Sequence, residues 1–318
     1  EKDRLFQIWG TVGFMAGAGI GFAYVCPIAA LVKWFPNQKG LVAGLAVAGF
    51  GFGAYIFSNK QLPFSAENYI KLHGITGLFF VHGIVALVAI SIGALLLRNP
   101  PGSMTSTAKA APESTWQDTL RQPAFYVLWL MFFSGAMAGL MVIGILKPFA
   151  GSQLVVAAGG ADALSETARL DWLARGVAAV GWLAIFNAVG RVVWGTVSDK
   201  IGRTSAFAAM FLFQAVMMFL LIRMRSEFSL AVTASLIGFN FGGNFALFPS
   251  ATADLFGAKN LGANYGWVFT SYGIAGVVGI AAGNTAKNLT GSYGAAFALA
   301  GCLCVVSAIL ALVLRKLP

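Results

Sequence analysis

The chain has 318 residues, of which 58% are apolar and 10% are charged, and its formal net charge is +10. A soluble domain typically carries about 25% charged residues, so this composition excludes a chain surrounded by water and predicts an integral membrane protein. The lysines and arginines lie singly between apolar runs, which does not indicate nucleic-acid binding. Cys26, Cys302 and Cys304 form no CxxC pair, so no metal site, disulfide framework or cofactor is predicted.

Nine apolar stretches are long enough to cross a bilayer, which takes about 20 mostly apolar residues per helix. In chain order they are 5–32, 41–59, 74–97, 124–146, 176–197, 204–222, 230–255, 262–283 and 293–314. Apolar runs of this length favour helices over strands, so the predicted fold is all-α. The polar, proline-rich segment 98–123 is expected to carry a short surface helix near 113–120. Segment 150–175 is expected to be a loop with a short helix over one membrane face.

The first two stretches are echoed by the seventh and eighth. Gly21, Pro27, Ala29, Gly40, Gly44 and Gly51 recur at one constant offset as Gly243, Pro249, Ala251, Gly262, Gly266 and Gly273. Tandem membrane repeats are typical of secondary transporters, and this repeat unit spans six helices. We therefore expect a partial first bundle of three helices at 1–97, a linker at 98–123 and a six-helix bundle at 124–318. Three N-terminal helices would then be lacking, and an inactive fragment is the corresponding alternative.

Arg191 is a charged residue deep inside a predicted span. It lies in the apolar run 184–197, where Asn187 is the other strongly polar residue. A charge at such depth costs at least about 2.5 kcal/mol, and it is usually retained to face a cavity, form a pair or bind an ion. A guanidinium can hold a carboxylate through two parallel hydrogen bonds, which favours an anion site. The alternative is that Arg191 snorkels to the surface near Asp199.

The sequence Gly195-Thr-Val-Ser-Asp199-Lys-Ile-Gly202-Arg203 predicts a tight, charged turn between two spans. Glycine at position 202 permits a backbone φ that other residues resist. Such a turn can hold helices together in one conformation and so act as a gate. An ordinary solvated turn is the alternative interpretation.

This turn, Gly195-x-x-x-Asp199-x-x-Gly202-Arg203, resembles the cytoplasmic turn motif between the eighth and ninth helices of the major facilitator superfamily. Stretches at 22–30, 33–40, 44–51, 187–191, 241–246 and 264–267 resemble the oxalate/formate antiporter family within it. The resemblance implies helices four to twelve of a two-bundle transporter that works by alternating access. It also implies a multi-pass cell (inner) membrane protein with its linker, turn and C-terminus in the cytoplasm. The distribution of Lys and Arg by itself leaves the orientation undecided.

In that family's oxalate carrier, as the resemblance implies, an arginine and a lysine hold the dicarboxylate inside an aromatic cage. Arg191 matches the arginine, whereas Tyr272 stands at the position of the lysine. One cation balances one carboxylate and would leave a dianion with a charge unpaired, so a monocarboxylate, or a carboxylate entering with a proton, is expected over oxalate. Asn187 and Asn244 either line the cavity or form helix-to-helix hydrogen bonds. The matched cage positions are Tyr24, Phe50, Phe241, Phe245 and Phe269, for which core packing is the alternative.

We therefore predict a secondary transporter of small organic anions such as formate, pyruvate, lactate or oxalate, an exchanger or symporter acting as a monomer in the lipid bilayer. A membrane sensor with a transporter-like fold is a second hypothesis and would bind a ligand without moving it. An integral-membrane enzyme is disfavoured, because the predicted spans hold no paired acids, HExxH motif or Ser/His/Asp set. His82 and His73 lack metal-ligand spacing, so a packed or hydrogen-bonded histidine is favoured over a proton relay.

Overall fold

A computed structural model describes the backbone of residues 2–58, 61–63, 65–101, 113–175 and 178–316. The side chains of residues 2–4, 50–52, 54, 55, 58, 161, 174 and 178 lie outside this description. The described residues form helices and include no strand. The helices of the N-terminal part are α1 (Lys2–Ile8), a π-helical segment (Trp9–Ala16), α2 (Gly17–Trp34), α3 (Lys39–Ser58) and α4 (Ala66–Leu96). The others are α5 (Trp116–Arg121), α6 (Pro123–Ala157), α7 (Glu166–Arg175), α8 (Ala178–Ile201), α9 (Arg203–Leu221), α10 (Glu227–Phe256), α11 (Leu261–Thr290) and α12 (Gly294–Leu314).

The predicted all-α membrane fold is confirmed. Among the described residues, 8 helices are long and apolar enough to cross a membrane, and they fall on eight of the nine predicted spans. The remaining span, 41–59, falls on α3, whose described apolar stretch Lys39–Gly49 is shorter. The predicted linker helix is also present as α5, which begins at a capping box formed by Thr115 and Asp118.

One predicted boundary is wrong. The fourth span was expected to end at 146, yet α6 continues through Pro148 to Ala157. Proline removes one backbone hydrogen bond and usually kinks or breaks a helix. Here the residues after it, Phe149 and Ala150, are buried in the bundle, and packing against neighbouring helices lets a membrane helix continue past a proline. The expected loop at 150–175 therefore shrinks to a short 3₁₀ turn, Ala161–Ala163, followed by α7.

The echoed segments have the same helix–turn–helix form. Pro27 lies inside α2 and Pro249 inside α10, and a short connection joins each helix to the next one. The α2–α3, α8–α9 and α10–α11 connections meet at one end of the molecule (the turn end), where Lys39 Nζ lies 2.7 Å from Asp254 Oδ1. The segment that precedes α5 is fixed at the same end, because Ser114 N donates to the carbonyl of Phe256 at 3.0 Å.

The core lies among α6 and α8–α12, with α2 and α3 packed against its side. Stacked aromatic rings fill it, as between Phe132 and Phe248, whose ring centroids lie 4.3 Å apart. By contrast, none of the described side chains of α4 is buried, and its apolar surface is exposed along its length. In a bilayer, where lipid tails are as apolar as leucine, such a surface needs no cover from protein.

Candidate anion-binding site

Arg191 lies in the middle of α8 and is 5% exposed. Its Nε and Nη2 donate to Oδ1 of Asn187 at 3.1 and 3.0 Å, and its Nη1 donates to the carbonyl of Val47 on α3 at 2.9 Å. The guanidinium carbon lies 4.2 Å from the centre of the Phe245 ring, a cation–π contact. The side chain is therefore held inside the protein and does not snorkel to the surface.

Glycines allow the helices around Arg191 to pack backbone against backbone. A Cβ atom at Gly44 on α3 would collide with the carbonyl of Arg191, and one at Gly190 would collide with the carbonyl of Phe239 on α10. Likewise, a Cβ atom at Gly40 would collide with the carbonyl of Gly195 on α8, and one at Gly195 would collide with the carbonyl of Gly40. Helix α8 therefore packs between the backbones of α3 and α10, and this close packing fixes the position of the Arg191 backbone.

A cavity of about 720 Å³ opens beside the guanidinium, within the size range of small-molecule sites. Its described wall consists of Arg191, aromatic rings, and small or apolar residues of α2 and α11. Among these described lining residues, Arg191 is the one charged side chain. Such a cavity can hold a small molecule with one anionic end and an apolar body.

Four of the aromatic residues predicted for the site form one continuous cluster of rings. Phe269 lies 5.2 Å from Tyr24 and 4.9 Å from Tyr272 between ring centroids. Phe245 touches Tyr272 edge-on at 5.6 Å and so joins the guanidinium to this cluster. Five predicted site residues thus come together in the cavity wall: Tyr24, Arg191, Phe245, Phe269 and Tyr272.

The other predicted residues are placed differently. Phe241 is buried between Phe245 and Gly139, and the described cavity lining does not include it. Asn244 donates to the carbonyl of Phe241 at 3.2 Å and points its oxygen toward α6. Asn187 contacts Arg191 and not the cavity, while the side chain of Phe50 lies outside the described residues. Their contact with a substrate stays a prediction.

The turn between α8 and α9 is docked onto α3. Both carboxylate oxygens of Asp199 accept backbone N–H groups of α3, from Gly40 at 2.9 Å and from Leu41 at 2.8 Å. Asp199 also pairs with Arg203 at 2.7 Å, and Gly202 has the positive φ, 85°, that its residue type allows. The acidic side chain of α8 therefore satisfies the first N–H groups of α3, a neighbouring helix far away in the sequence.

Asp254 and Lys39 extend this network, although the sequence analysis did not connect them with the turn. Arg203 Nε donates to Asp254 Oδ2 at 2.8 Å, and Lys39 pairs with the other oxygen of Asp254. Arg203 also donates to the hydroxyl of Ser198. Charges at helix ends were the available signal in the sequence, and they do not identify partners on other helices.

The histidines and cysteines form no second site in the described part of the chain. The ring of His82 lies against Phe57 and its Nδ1 is 2.7 Å from the carbonyl of Leu78, which agrees with a hydrogen-bonded histidine. Groups of three or more potential metal ligands do not occur among the described residues.

The helices and the candidate site are those of a multi-pass membrane protein in which a buried arginine faces an apolar and aromatic cavity. A family model described as Major Facilitator Superfamily matches residues 163–318. The chain belongs to the major facilitator superfamily, as the turn motif indicated.

Three relatives match most of the chain at 30% identity. The uncharacterized MFS-type transporter YhjX of Escherichia coli (strain K12) aligns with 87% of this chain over 65% of its own length. The oxalate:formate antiporter of Oxalobacter formigenes aligns with 83% of this chain over 59% of its own length. Apicoplast pyruvate carrier 1 of Toxoplasma gondii aligns with 84% of this chain over 57% of its own length. The chain thus spans between 57% and 65% of the length of these three relatives.

Proposed function

We propose that this protein is a secondary transporter of small organic anions and that Arg191 binds the carboxylate of the substrate. The observation that carries the proposal is a guanidinium only 5% exposed in the wall of an otherwise apolar and aromatic cavity. In such surroundings a charge-assisted hydrogen bond is stronger than in water, and an arginine fork matches a carboxylate. The rings of Tyr24, Phe245 and Phe269 would surround the rest of the substrate.

The names of two relatives support this class of substrate. One concerns oxalate and formate, and the other concerns pyruvate, so the names refer to carboxylates of few atoms. A cavity of about 720 Å³ is roomy for such molecules, and water is expected to share it.

Among these carboxylates, the charge of the site favours those with a single negative charge. Arg191 is the one charged side chain of the described lining, and the phenol of Tyr272 stands where the resemblance to the oxalate carrier places a lysine. A dianion would bring one charge into a low-dielectric site without a cation to balance it. Formate, pyruvate and lactate are therefore favoured over oxalate, unless oxalate enters with a proton.

Transport would proceed by alternating access between two units, a partial N-terminal bundle at 1–97 and a six-helix bundle at 124–318, joined by the linker 98–123. The turn residues Gly195, Asp199, Gly202 and Arg203 would act as a gate that holds α3 against α8 in this conformation. By the family resemblance, the turn end and the C-terminus would face the cytoplasm from the cell (inner) membrane. The transporter would work as a monomer.

The test is counterflow with purified protein in liposomes loaded with formate, oxalate, lactate or pyruvate. Arg191→Ala removes a buried charge-assisted contact worth about 2–5 kcal/mol, so uptake should fall at least about 30-fold. Arg223→Ala removes an exposed arginine and serves as the matched control, with uptake expected to stay near the wild-type level. Size-exclusion profiles and melting curves check that both variants fold.

Normal uptake by a folded Arg191→Ala variant would contradict the assignment of the site. Carboxylate binding by the wild-type protein without counterflow would instead indicate a sensor with a transporter-like fold.

A further inference from the structure

We infer that Asn187 is a positioning residue for Arg191. Its neutral amide fixes the plane of the guanidinium by hydrogen bonds on the side that faces away from the cavity. This inference rests on the proposed function, because it assigns a role to the neighbour of the proposed anion-binding arginine. It replaces direct contact between Asn187 and the substrate with an effect exerted through Arg191.

The geometry is that of a clamp on one edge of the guanidinium. Asn187 lies one helical turn before Arg191 on α8, and its Oδ1 accepts from both Nε and Nη2, at 3.1 and 3.0 Å. The carbonyl of Val47 accepts from Nη1 at 2.9 Å. Because a guanidinium is planar, acceptors on two sides leave it little freedom to rotate out of the plane that faces the cavity.

Asn187 is itself held in one orientation. It is 6% exposed, and its Nδ2 donates to the carbonyl of Gly238 on α10 at 3.4 Å. A flipped amide would place its NH₂ group against guanidinium donors and its oxygen against a carbonyl, so hydrogen-bond chemistry selects the orientation found. A Cβ atom at Gly242 would collide with the backbone carbonyl of Asn187, so α10 packs directly against this turn of α8.

The neutrality of this side chain is as important as its shape. An amide oxygen orients the guanidinium and adds no negative charge, whereas a carboxylate in the same place would form an ion pair with Arg191 and compete with the substrate. Among the described residues, the titratable groups that other packed helices bring toward the guanidinium are the phenols of Tyr24 on α2 and of Tyr265 and Tyr272 on α11. Phenols ordinarily titrate near pH 10, so they add no charge between pH 5 and 8.

Two variants of nearly the same size separate the contributions of shape, hydrogen bonding and charge. Asn187→Leu removes the acceptor, and KM for formate or pyruvate should rise about tenfold or more with a smaller change in kcat, because a hydrogen bond to a charged group is lost. Asn187→Asp keeps the acceptor but adds a charge, and its KM at pH 8 should exceed that of Asn187→Leu. This excess should narrow as the pH falls to 5, since substrate binding then favours the protonated carboxyl.

The control is Asn240→Asp, which places the same carboxylate on α10 at a residue that is 1% exposed and bonded to Trp194. It should lower the yield of folded protein without raising KM in a pH-dependent way. Asn187→Ser, a smaller change that also removes the clamp, serves if the leucine variant does not fold, and its KM should also rise.

The inference is overturned if folded Asn187→Leu or Asn187→Ser keeps the wild-type KM, or loses only kcat and yield, since that result describes a structural role. It is also overturned if Asn187→Asp transports like the wild type across this pH range. Failure of the proposed function looks different: either the wild-type protein itself would not exchange carboxylates, or a folded Arg191→Ala variant would exchange them normally.

Discussion

Replacing Asp199 with alanine should open the turn end of the protein. The first N–H groups of any helix lack acceptors within that helix, and those of Gly40 and Leu41 on α3 are satisfied by Asp199 of α8. The Asp199 side chain is 11% exposed and the Arg203 side chain that pairs with it 16%, so water provides little substitute. Because these bonds join two different helices, their loss weakens the arrangement in which α3 and α8 touch.

The magnitude follows from the type of contact. Removing an acidic helix cap costs about 0.5–2 kcal/mol, and hydrogen bonds to a charged group contribute about 1.5–3 kcal/mol. A value of about 2 kcal/mol shifts the equilibrium between the closed and open turn end about 30-fold toward the open state. Asp254 still pairs with Arg203 and with Lys39, so the variant should remain folded.

The assay is a distance measurement by double electron–electron resonance, with spin labels at the exposed positions Asn37 and Lys200 in a background without native cysteines. Asp199→Ala should move much of the distribution to longer distances, whereas Asp162→Asn, at an exposed acid outside the turn network, should leave it unchanged. An unaltered distribution in Asp199→Ala, with wild-type transport, would refute the idea that this turn holds the gate.

Two further predictions concern the α3–α8 crossing and the selectivity of the cavity. Gly44→Ala should separate α3 from α8 and raise KM for uptake into liposomes, because the added Cβ meets the carbonyl of Arg191. Gly49→Ala on the same helix is the control, since a Cβ there meets nothing within 4 Å. Equal KM values for the two variants would contradict the reasoning. Tyr272→Lys adds a second cation to the cavity wall and should shift the preference toward oxalate over formate by about tenfold. The measurement is the ratio of the kcat/KM values for the two substrates. An unchanged ratio would mean that position 272 does not set charge selectivity.

Hydropathy was sufficient to predict the eight spanning helices found among the described residues, because lipid requires each spanning segment to satisfy its own backbone. It was insufficient at Pro148, where the continuation of α6 depends on how Phe149 and Ala150 pack against other helices. The π-helical segment Trp9–Ala16 was likewise beyond prediction, since its residues resemble those of any apolar helix.

The site could be predicted only in part, for a related reason. The depth of Arg191 in an apolar run is visible in one sequence, whereas the four aromatic residues that share the cavity wall with it were predicted from the family resemblance alone. The carbonyl of Val47 carries no sequence signal, and the bond between Lys39 and Asp254 joins residues 215 positions apart. Both contacts depend on how α3 docks against α8 and α10, which is a property of the packed structure.

The docking of α3 also links the proposed substrate site to the proposed gate. One face of this helix contributes the N–H of Gly40, which donates to Asp199 on α8. The same face contributes the backbone contact at Gly44 and the carbonyl of Val47, which both meet Arg191. A movement that separates α3 from α8 at the turn end would therefore also withdraw an acceptor from the guanidinium. A bound carboxylate would replace that acceptor with a charged one, whereas in a site without substrate water would accept from the same N–H through a weaker hydrogen bond. If the proposed function holds, the loaded carrier would therefore change conformation more readily than the empty one, which is the behaviour expected of an exchanger.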